Sequence, residues 1–262
     1  MNRPSELGFI AMPGARSLAY LQTLRQRNYK PACVVRLKNP YAENATSFLQ
    51  SHPLAAQYID ASLDEYSFCR STDIPLYDTE FTSINDEGLL DLLLSTGIHT
   101  WLFSGGGIIK PALFDAGLRF LHIHPGQLPE VRGSTCFYYS LLHDNSLAAT
   151  AFFMTAELDA GEPLMCRHFA INMAEPLLSC SFIDYVVDPW IRAQTLNSLL
   201  LQWSSFGAAI PAPTPPPPLI SSPSDRPCYV MHPLLRALTI HKLSKRFDPK
   251  RPIGVHHFDR SN

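Results

Sequence analysis

Two histidines, His122 and His124, stand two positions apart at the end of the apolar run Arg119–Ile123 (RFLHI). In a strand, a period of two points both imidazoles to one face. An imidazole gives or takes a proton near neutral pH, and two side by side titrate in a coupled way. The segment 125–133 (PGQLPEVRG) leaves that strand end with two prolines, two glycines and the charges Glu130 and Arg132. It is well placed to cover a site. About 35 residues beyond His124, Asp159 lies in Leu158-Asp159-Ala160-Gly161, a turn between two expected strands. A glycine-rich turn, Ser104-Gly105-Gly106-Gly107, follows a neighbouring strand. Each feature alone has a plain structural explanation. A strand-end histidine can be a packing residue, an Asp-x-Gly turn uses its carboxylate to cap local N–H groups, and the glycine triplet has neither dinucleotide nor P-loop spacing.

The elements that must position these groups alternate. Leu7–Met12 reads as a strand, broken by Pro13-Gly14. Ala15–Gln26, with Leu18, Leu21 and Leu24, reads as a helix, and the β-branched Ala32–Leu37 as a second strand. That βαβ order implies a parallel sheet with right-handed crossovers. The pattern continues with a helix at Asp86–Ser95, a strand at Thr100–Phe103 and a short helix at Lys110–Ala116 with Gly117 as its C-cap. The histidine strand follows, then a helix at Ser134–His143 with Ser134 as N-cap. Strands at Ala148–Thr155 and Pro163–Ile171 and a helix at Pro189–Trp203 complete this part. The expected class is α/β, a Rossmann-like fold with a mostly parallel twisted sheet. Ligands of such sheets bind beyond the carboxyl ends of the strands, where both histidines fall.

The chain has 262 residues, 46% hydrophobic and 17% charged. That mix excludes wholesale disorder. A formal net charge of −2 argues against a nucleic-acid binder working through a broad basic face. No run of about 18 apolar residues occurs, so no membrane span is expected. The N-terminus lacks the pattern of a signal peptide. Six cysteines are scattered without a C-x-x-C pair, which reads as reduced thiols of a cytoplasmic protein and not a disulfide or zinc framework. Three regions are expected: a catalytic domain over 1–210, a stiff proline-rich linker at 211–218 (PAPTPPPP), and a short extension over 219–262. The extension holds a helix around Pro233–Lys245 and packs on the main domain or across a homodimer. His256-His257 within it reads as surface. Phe137, Tyr138 and Tyr139 read as helix packing, and Asp184, Asp188 and Trp190 as capping and packing.

Taken together, the segment 103–164 resembles the N10-formyltetrahydrofolate-dependent formyltransferases. This family includes the methionyl-tRNA, glycinamide ribonucleotide and nucleotide-sugar N-formyltransferases and the related deformylases. The family pattern Asn-x-His-Pro-Ser-x-Leu-Pro-x-x-x-Gly is matched by His122-Ile123-His124-Pro125-Gly126-Gln127-Leu128-Pro129-Glu130-Val131-Arg132-Gly133. Its Asp-x-Gly is matched by Asp159-Ala160-Gly161, and its donor-pocket segment by Ile108-Ile109-Lys110-Pro111. Two positions depart: His122 replaces the asparagine and Gly126 the serine. The resemblance covers roughly residues 7 to 205.

The resemblance implies a cytoplasmic formyltransferase, with N10-formyltetrahydrofolate as formyl donor and no metal. It implies catalytic roles for His124, Asp159 and His122. It places donor-binding groups at Ser104, Gly105, Gly106, Gly107, Ile108, Ile109 and Leu158, and acceptor contacts at Arg132 and Gly133. The acceptor is expected to be the amine of a small molecule, such as an amino-sugar nucleotide or an amino-acid-derived metabolite, and not a nucleic acid or a membrane. Other readings stay open at this point. They are a formyltetrahydrofolate hydrolase, a repurposed family member, a zinc hydrolase using His122, His124, His143 and Asp144, and a non-catalytic folate-binding protein.

Overall fold

The computed structural model describes residues 7–203 and 227–259. The proline-rich stretch at 211–218 and the start of the tail at 219–226 lie outside the described residues. The fold is α/β, with an eight-stranded, mostly parallel sheet of strand order β3-β2-β1-β4-β5-β6-β7-β8. Its strands are β1 (Leu7–Ala11), β2 (Val34–Arg36), β3 (Leu76–Asp78), β4 (Thr100–Phe103), β5 (Arg119–His124), β6 (Leu147–Phe153), β7 (Pro163–Asn172) and β8 (Gly254–Phe258). By contacts the chain divides into two units. One comprises Met1–His122 with Phe153–Leu158, the other Ile123–Phe152 with Asp159–Asn262.

In the first unit β1 pairs in parallel with β2 and β4, β2 with β3, and β4 with β5. Strands β1 and β4 are buried along their whole length, as expected of parallel strands covered on both faces. The helices of this unit are α1 (Ala15–Gln26), α2 (Ala42–Ser51), α3 (Glu65–Thr72), α4 (Leu89–Ser95) and α5 (Pro111–Asp115). Leu89 and Leu93 of α4 enter a core with Ile10, Val35, Trp101 and Phe120. Trp101 is fully buried, and its indole N–H donates to the Ile98 carbonyl at 3.0 Å. The ring lies against Gly8, its partner in the β1–β4 register. A Cβ at Gly8 would come within 2.4 Å of the indole, so only glycine lets the ring sit there.

In the second unit β7 pairs antiparallel with β6 and β8. Its helices are α6 (Cys136–His143), α7 (Cys180–Phe182), α8 (Asp188–Trp203) and α9 (Pro233–Ser244). Arg192 of α8 is buried. It pairs with Asp188 one turn earlier and donates to the Ile123 carbonyl at 2.6 Å. That bond fixes the backbone immediately before His124. In α9, Arg236 pairs with Asp184 and Tyr138, and its guanidinium lies 4.3 Å from the Tyr138 ring centre. Burial raises the Asp184 carboxyl above its ordinary range despite that partner.

One expectation from the sequence needs correction, and further elements appear beside those expected. Ser134 is not the cap of α6: the helix starts at Cys136, and Thr135, with φ of 51°, is its N-cap residue. The Thr135 hydroxyl donates to the Tyr229 carbonyl and accepts from the Met231 N–H, so the tail claims the hydroxyl that would otherwise cap the helix. Helices α2 and α3 were not anticipated. Nor was β8, where His256 and His257 stand on a strand paired to β7.

Among the described residues no helix is long and apolar enough to cross a membrane. Gly8→Ala is expected to destabilise the protein by about 1–3 kcal/mol through overpacking against Trp101. Urea unfolding checks this, and an unchanged midpoint would show that the indole relaxes freely.

Candidate functional site

The second unit brings His124 and Asp159 together. Strand β5 ends on His124, and the imidazole Nδ1 lies 3.4 Å from Asp159 Oδ1. The side chains are 2% and 9% exposed. Asp159 sits in the left-handed region at φ of 49°, a conformation that aspartate tolerates better than most residues. Its second oxygen accepts the Gly133 N–H at 2.8 Å. One carboxylate therefore grips both the imidazole and the end of the covering loop.

The other ring nitrogen is also engaged. His124 Nε2 lies 2.8 Å from the Val131 carbonyl, and the Phe152 ring stands edge-on with centroids 6.3 Å apart. Both nitrogens face oxygen acceptors. A neutral ring can donate to one of them, whereas a doubly protonated ring satisfies both. The arrangement suits an imidazole that donates N–H bonds or hands over a proton.

The loop from Pro125 to Gly133 is held from several sides. Thr150 Oγ1 donates to the Gly126 carbonyl at 2.6 Å and accepts from the Leu128 N–H at 3.2 Å. The tail closes its far end: Cys228 N–H donates to the Arg132 carbonyl at 2.7 Å, and Ser134 N–H donates to the Cys228 carbonyl at 2.8 Å. Gly133 has φ of 99°, and a Cβ there would meet the Cys228 carbonyl oxygen at 2.3 Å. Cys136 follows, its thiol donating to the Gly133 carbonyl at 3.3 Å. Burial, reinforced by Cys228 and Asp159, pushes that thiol well above its ordinary range, so it is a poor nucleophile.

Gly126, where the resemblance expects serine, has a local physical cause. A Cβ at this position would lie 2.8 Å from the Val131 carbonyl oxygen and 3.0 Å from His124 Nε2. The space that a serine side chain would enter is occupied by the bond between those two groups.

His122 and the donor-side candidates lie in the first unit. His122 is buried, with Nδ1 3.2 Å from the Phe103 carbonyl. If Nδ1 carries the proton of a neutral ring, Nε2 is an acceptor, and donation from Nε2 needs the doubly protonated form. Ser104 is also buried; its hydroxyl accepts the Met12 N–H at 2.9 Å. The carbonyls of Ser104 and Gly105 accept from Arg16 at 3.1 and 2.7 Å. A Cβ at Gly105 would strike the Phe103 ring at 2.2 Å, whereas Gly106 and Gly107 border open space. Ile109 is buried in the core, while Ile108 and Leu158 are exposed. Asn85 brackets the turn: its amide donates to the Ile108 carbonyl and its oxygen accepts the Lys110 N–H, both at 2.8 Å.

Sequence reasoning missed Arg16, Asn85, Val131 and Cys228. None carries a local motif, because each acts through a contact with a distant segment. The departure at Gly126 was the one available signal for Val131. Among the described residues no group of three or more His, Cys, Asp or Glu side chains is placed to hold a metal ion.

No family model matches the chain, and no curated protein matches it. Solved structures do. The phosphoribosylglycinamide formyltransferase of Anaplasma phagocytophilum aligns with a TM-score of 0.54 and 14% identity, over 78% of this chain and 88% of that one. A formyltetrahydrofolate deformylase of Pseudomonas syringae pv. tomato aligns at 0.52 and 18% identity, over 76% of this chain; the chain spans 62% of that protein's length. Glycinamide ribonucleotide transformylase 1 of Geobacillus kaustophilus aligns at 0.50 and 18% identity, over 76% and 100%. At these identities the likeness is one of fold. The chain has the α/β fold that these formyltransferase and deformylase structures share.

Gly126→Ser is expected to displace the Val131 carbonyl from His124 Nε2 and to lower stability by about 1–3 kcal/mol. Ring-nitrogen NMR of His124 together with urea unfolding reads both. An unshifted Nε2 signal in a folded variant would show that the loop yields elsewhere.

Proposed function

We propose that this chain is an enzyme that transfers a formyl group from N10-formyltetrahydrofolate to the amine of a small-molecule acceptor. The observation that carries the reading is the His124–Asp159 pair, two groups far apart in sequence that meet at 3.4 Å. It is supported by a fold shared with solved formyltransferases.

In this reaction the neutral acceptor nitrogen attacks the formyl carbon and the carbonyl becomes a tetrahedral oxyanion. The bond from that carbon to N10 then breaks, N10 gains a proton, and the acceptor nitrogen loses one. Products are the N-formylated acceptor and tetrahydrofolate. An alkylammonium holds its proton until about pH 10, so the site must favour the neutral amine and then move protons between two nitrogens. His124 is the group for that task. Its Nε2–H, which donates to the Val131 carbonyl at 2.8 Å, is proposed to donate to the oxyanion instead. In this view the Val131 carbonyl stands where the formyl oxygen would bind, and it must be displaced for turnover. Asp159 orients His124 and offsets the charge of the doubly protonated ring. His122, when doubly protonated, takes the place of the family's amide as a second donor, its Nδ1–H held by the Phe103 carbonyl.

The donor is proposed to lie against main-chain groups of Ser104–Ile109 and Leu158, a flat pterin being suited to close approach by glycine backbone. The acceptor is proposed to meet the loop at Arg132 and Gly133. Holding two substrates in register would supply much of the remaining acceleration.

His124→Ala is expected to reduce formyl transfer by at least about 100-fold, the usual effect of losing one oxyanion donor, and Asp159→Asn, which removes the charge that orients that donor, by at least about 100-fold as well, while circular dichroism stays unchanged. His122→Asn is expected to retain transfer. Tetrahydrofolate and formate are measured with and without a panel of amines. Full activity in either of the first two variants overturns the roles. Rapid formate release that no amine diverts identifies a hydrolase instead.

A further inference from the structure

All six cysteines are free thiols. Two of them, Cys136 and Cys228, meet in the second unit although they are far apart in the chain. Gly133 places both. The main chain of Cys228 brackets this glycine: its N–H donates to the Arg132 carbonyl at 2.7 Å and its carbonyl accepts the Ser134 N–H at 2.8 Å. Residues 133 and 228 thus pair as a short parallel bridge. Cys136 follows on the other side, and its thiol donates back to the Gly133 carbonyl at 3.3 Å. The two cysteines flank one residue, and their thiols are in hydrogen-bonding contact with each other.

Their surroundings differ. Cys136 is fully buried, so no reagent reaches it directly. Cys228 is half-buried. Burial raises both thiols above their ordinary range, and at Cys228 the contact with Cys136 works against that rise. A thiol buried alone is inert. A buried thiol touching an accessible one is different, because a group captured by the accessible sulfur is presented to it at a very high effective concentration. Cys33 and Cys69 also sense each other, but both are buried and neither offers an entry.

We propose that Cys136 and Cys228 form a reversible disulfide, made by exchange with a low-molecular-weight disulfide, that fastens the tail to the end of the site loop. The Cys228 thiolate attacks one sulfur of the reagent. A bond from Cys228 to that sulfur forms, the reagent's S–S bond breaks, and the first small thiol leaves with the proton that Cys228 gave up. The Cys136 thiolate then attacks the Cys228 sulfur. The mixed disulfide breaks, and a second small thiol leaves with the proton of Cys136. Two protein thiols are oxidised to one disulfide, and one small disulfide is reduced to two thiols. The new bond closes a long loop of chain, which restricts the unfolded state. The inference does not rest on formyl transfer.

The full chain is treated with glutathione disulfide in native buffer, quenched with acid, capped with N-ethylmaleimide and read by peptide mass spectrometry. A Cys136–Cys228 disulfide is expected, formed faster at about pH 9 than at about pH 7 because raised thiols ionise late, and reversed by dithiothreitol. The oxidised chain should unfold at a higher urea concentration than the reduced chain. Cys136→Ser should hold glutathione on Cys228 as a stable mixed disulfide. Cys228→Ser should leave Cys136 unmodified while folded. Failure of the disulfide to form, preferential pairing of any other two cysteines, an unchanged or lower urea midpoint on oxidation, or modification of Cys136 in folded Cys228→Ser would overturn the proposal. The wild-type measurements decide it even where a variant does not fold. Folate and amines are absent throughout, so none of these results bears on the His124 and Asp159 variants in formyl transfer.

Discussion

The Asp159 carboxylate is divided between two masters. One oxygen faces His124 at 3.4 Å and the other accepts the Gly133 N–H at 2.8 Å. A carboxylate at 9% exposure loses most of its hydration, and a buried charge must be paired and hydrogen-bonded to be tolerated. Here the two partners come from the end of β5 and the end of the loop that follows it. The same interaction therefore sets the imidazole and anchors the loop. The loop so anchored brings the Val131 carbonyl to 2.8 Å from the second ring nitrogen.

The loop is closed from the other side by the tail. The bridge between Gly133 and Cys228 needs a glycine, because any side chain at residue 133 would overlap the Cys228 carbonyl. Beyond it, Thr135 holds Tyr229 and Met231, and Arg236 ties α9 to Tyr138 and Asp184. Hydrogen bonds along 228–236 thus hold the segment that follows the site loop. A strand at Gly254–Phe258 then completes β7 on its open edge, which removes a row of unpaired backbone groups. The tail supplies hydrogen bonds that the loop, α6 and β7 would otherwise have to find in water.

Much of this was legible in the residues, for local reasons. β1, α1 and β4 carry their patterns in contiguous apolar runs, and the expected boundaries agree with Leu7–Ala11, Ala15–Gln26 and Thr100–Phe103 to within a residue. Helices α2 and α3 were hidden because they bury little: Ala45 and Leu49 in one, Glu65, Phe68 and Cys69 in the other. Their Ser, Thr and Asn content competes with helix formation. The capping box of Asp64 and Ser67 was the readable sign of α3. Strand β8 was unreadable for another reason. Its sequence GVHHF has a short, mixed pattern, and its pairing with β7 is fixed by a partner some 85 residues away. In the site, the His124–Asp159 pair was legible because both residues lie in segments that resemble a family pattern. The Val131 carbonyl was not, because a backbone oxygen has no sequence signature.

His122 shows how far the type of side chain decides what a buried position can do. An asparagine amide carries a donor and an acceptor on one short side chain, so it can satisfy a carbonyl and still rotate its remaining N–H toward a substrate. The imidazole divides these roles between two ring atoms on opposite sides. Nδ1 lies 3.2 Å from the Phe103 carbonyl, and a carbonyl can only accept. With one proton on the ring, that bond places it on Nδ1, and Nε2 presents a lone pair. The neutral residue is then better suited to receive an N–H than to stabilise an oxyanion, whereas the doubly protonated residue can donate from both ends. Whether His122 acts as an acceptor or a donor thus depends on its charge, a choice that the amide never faces.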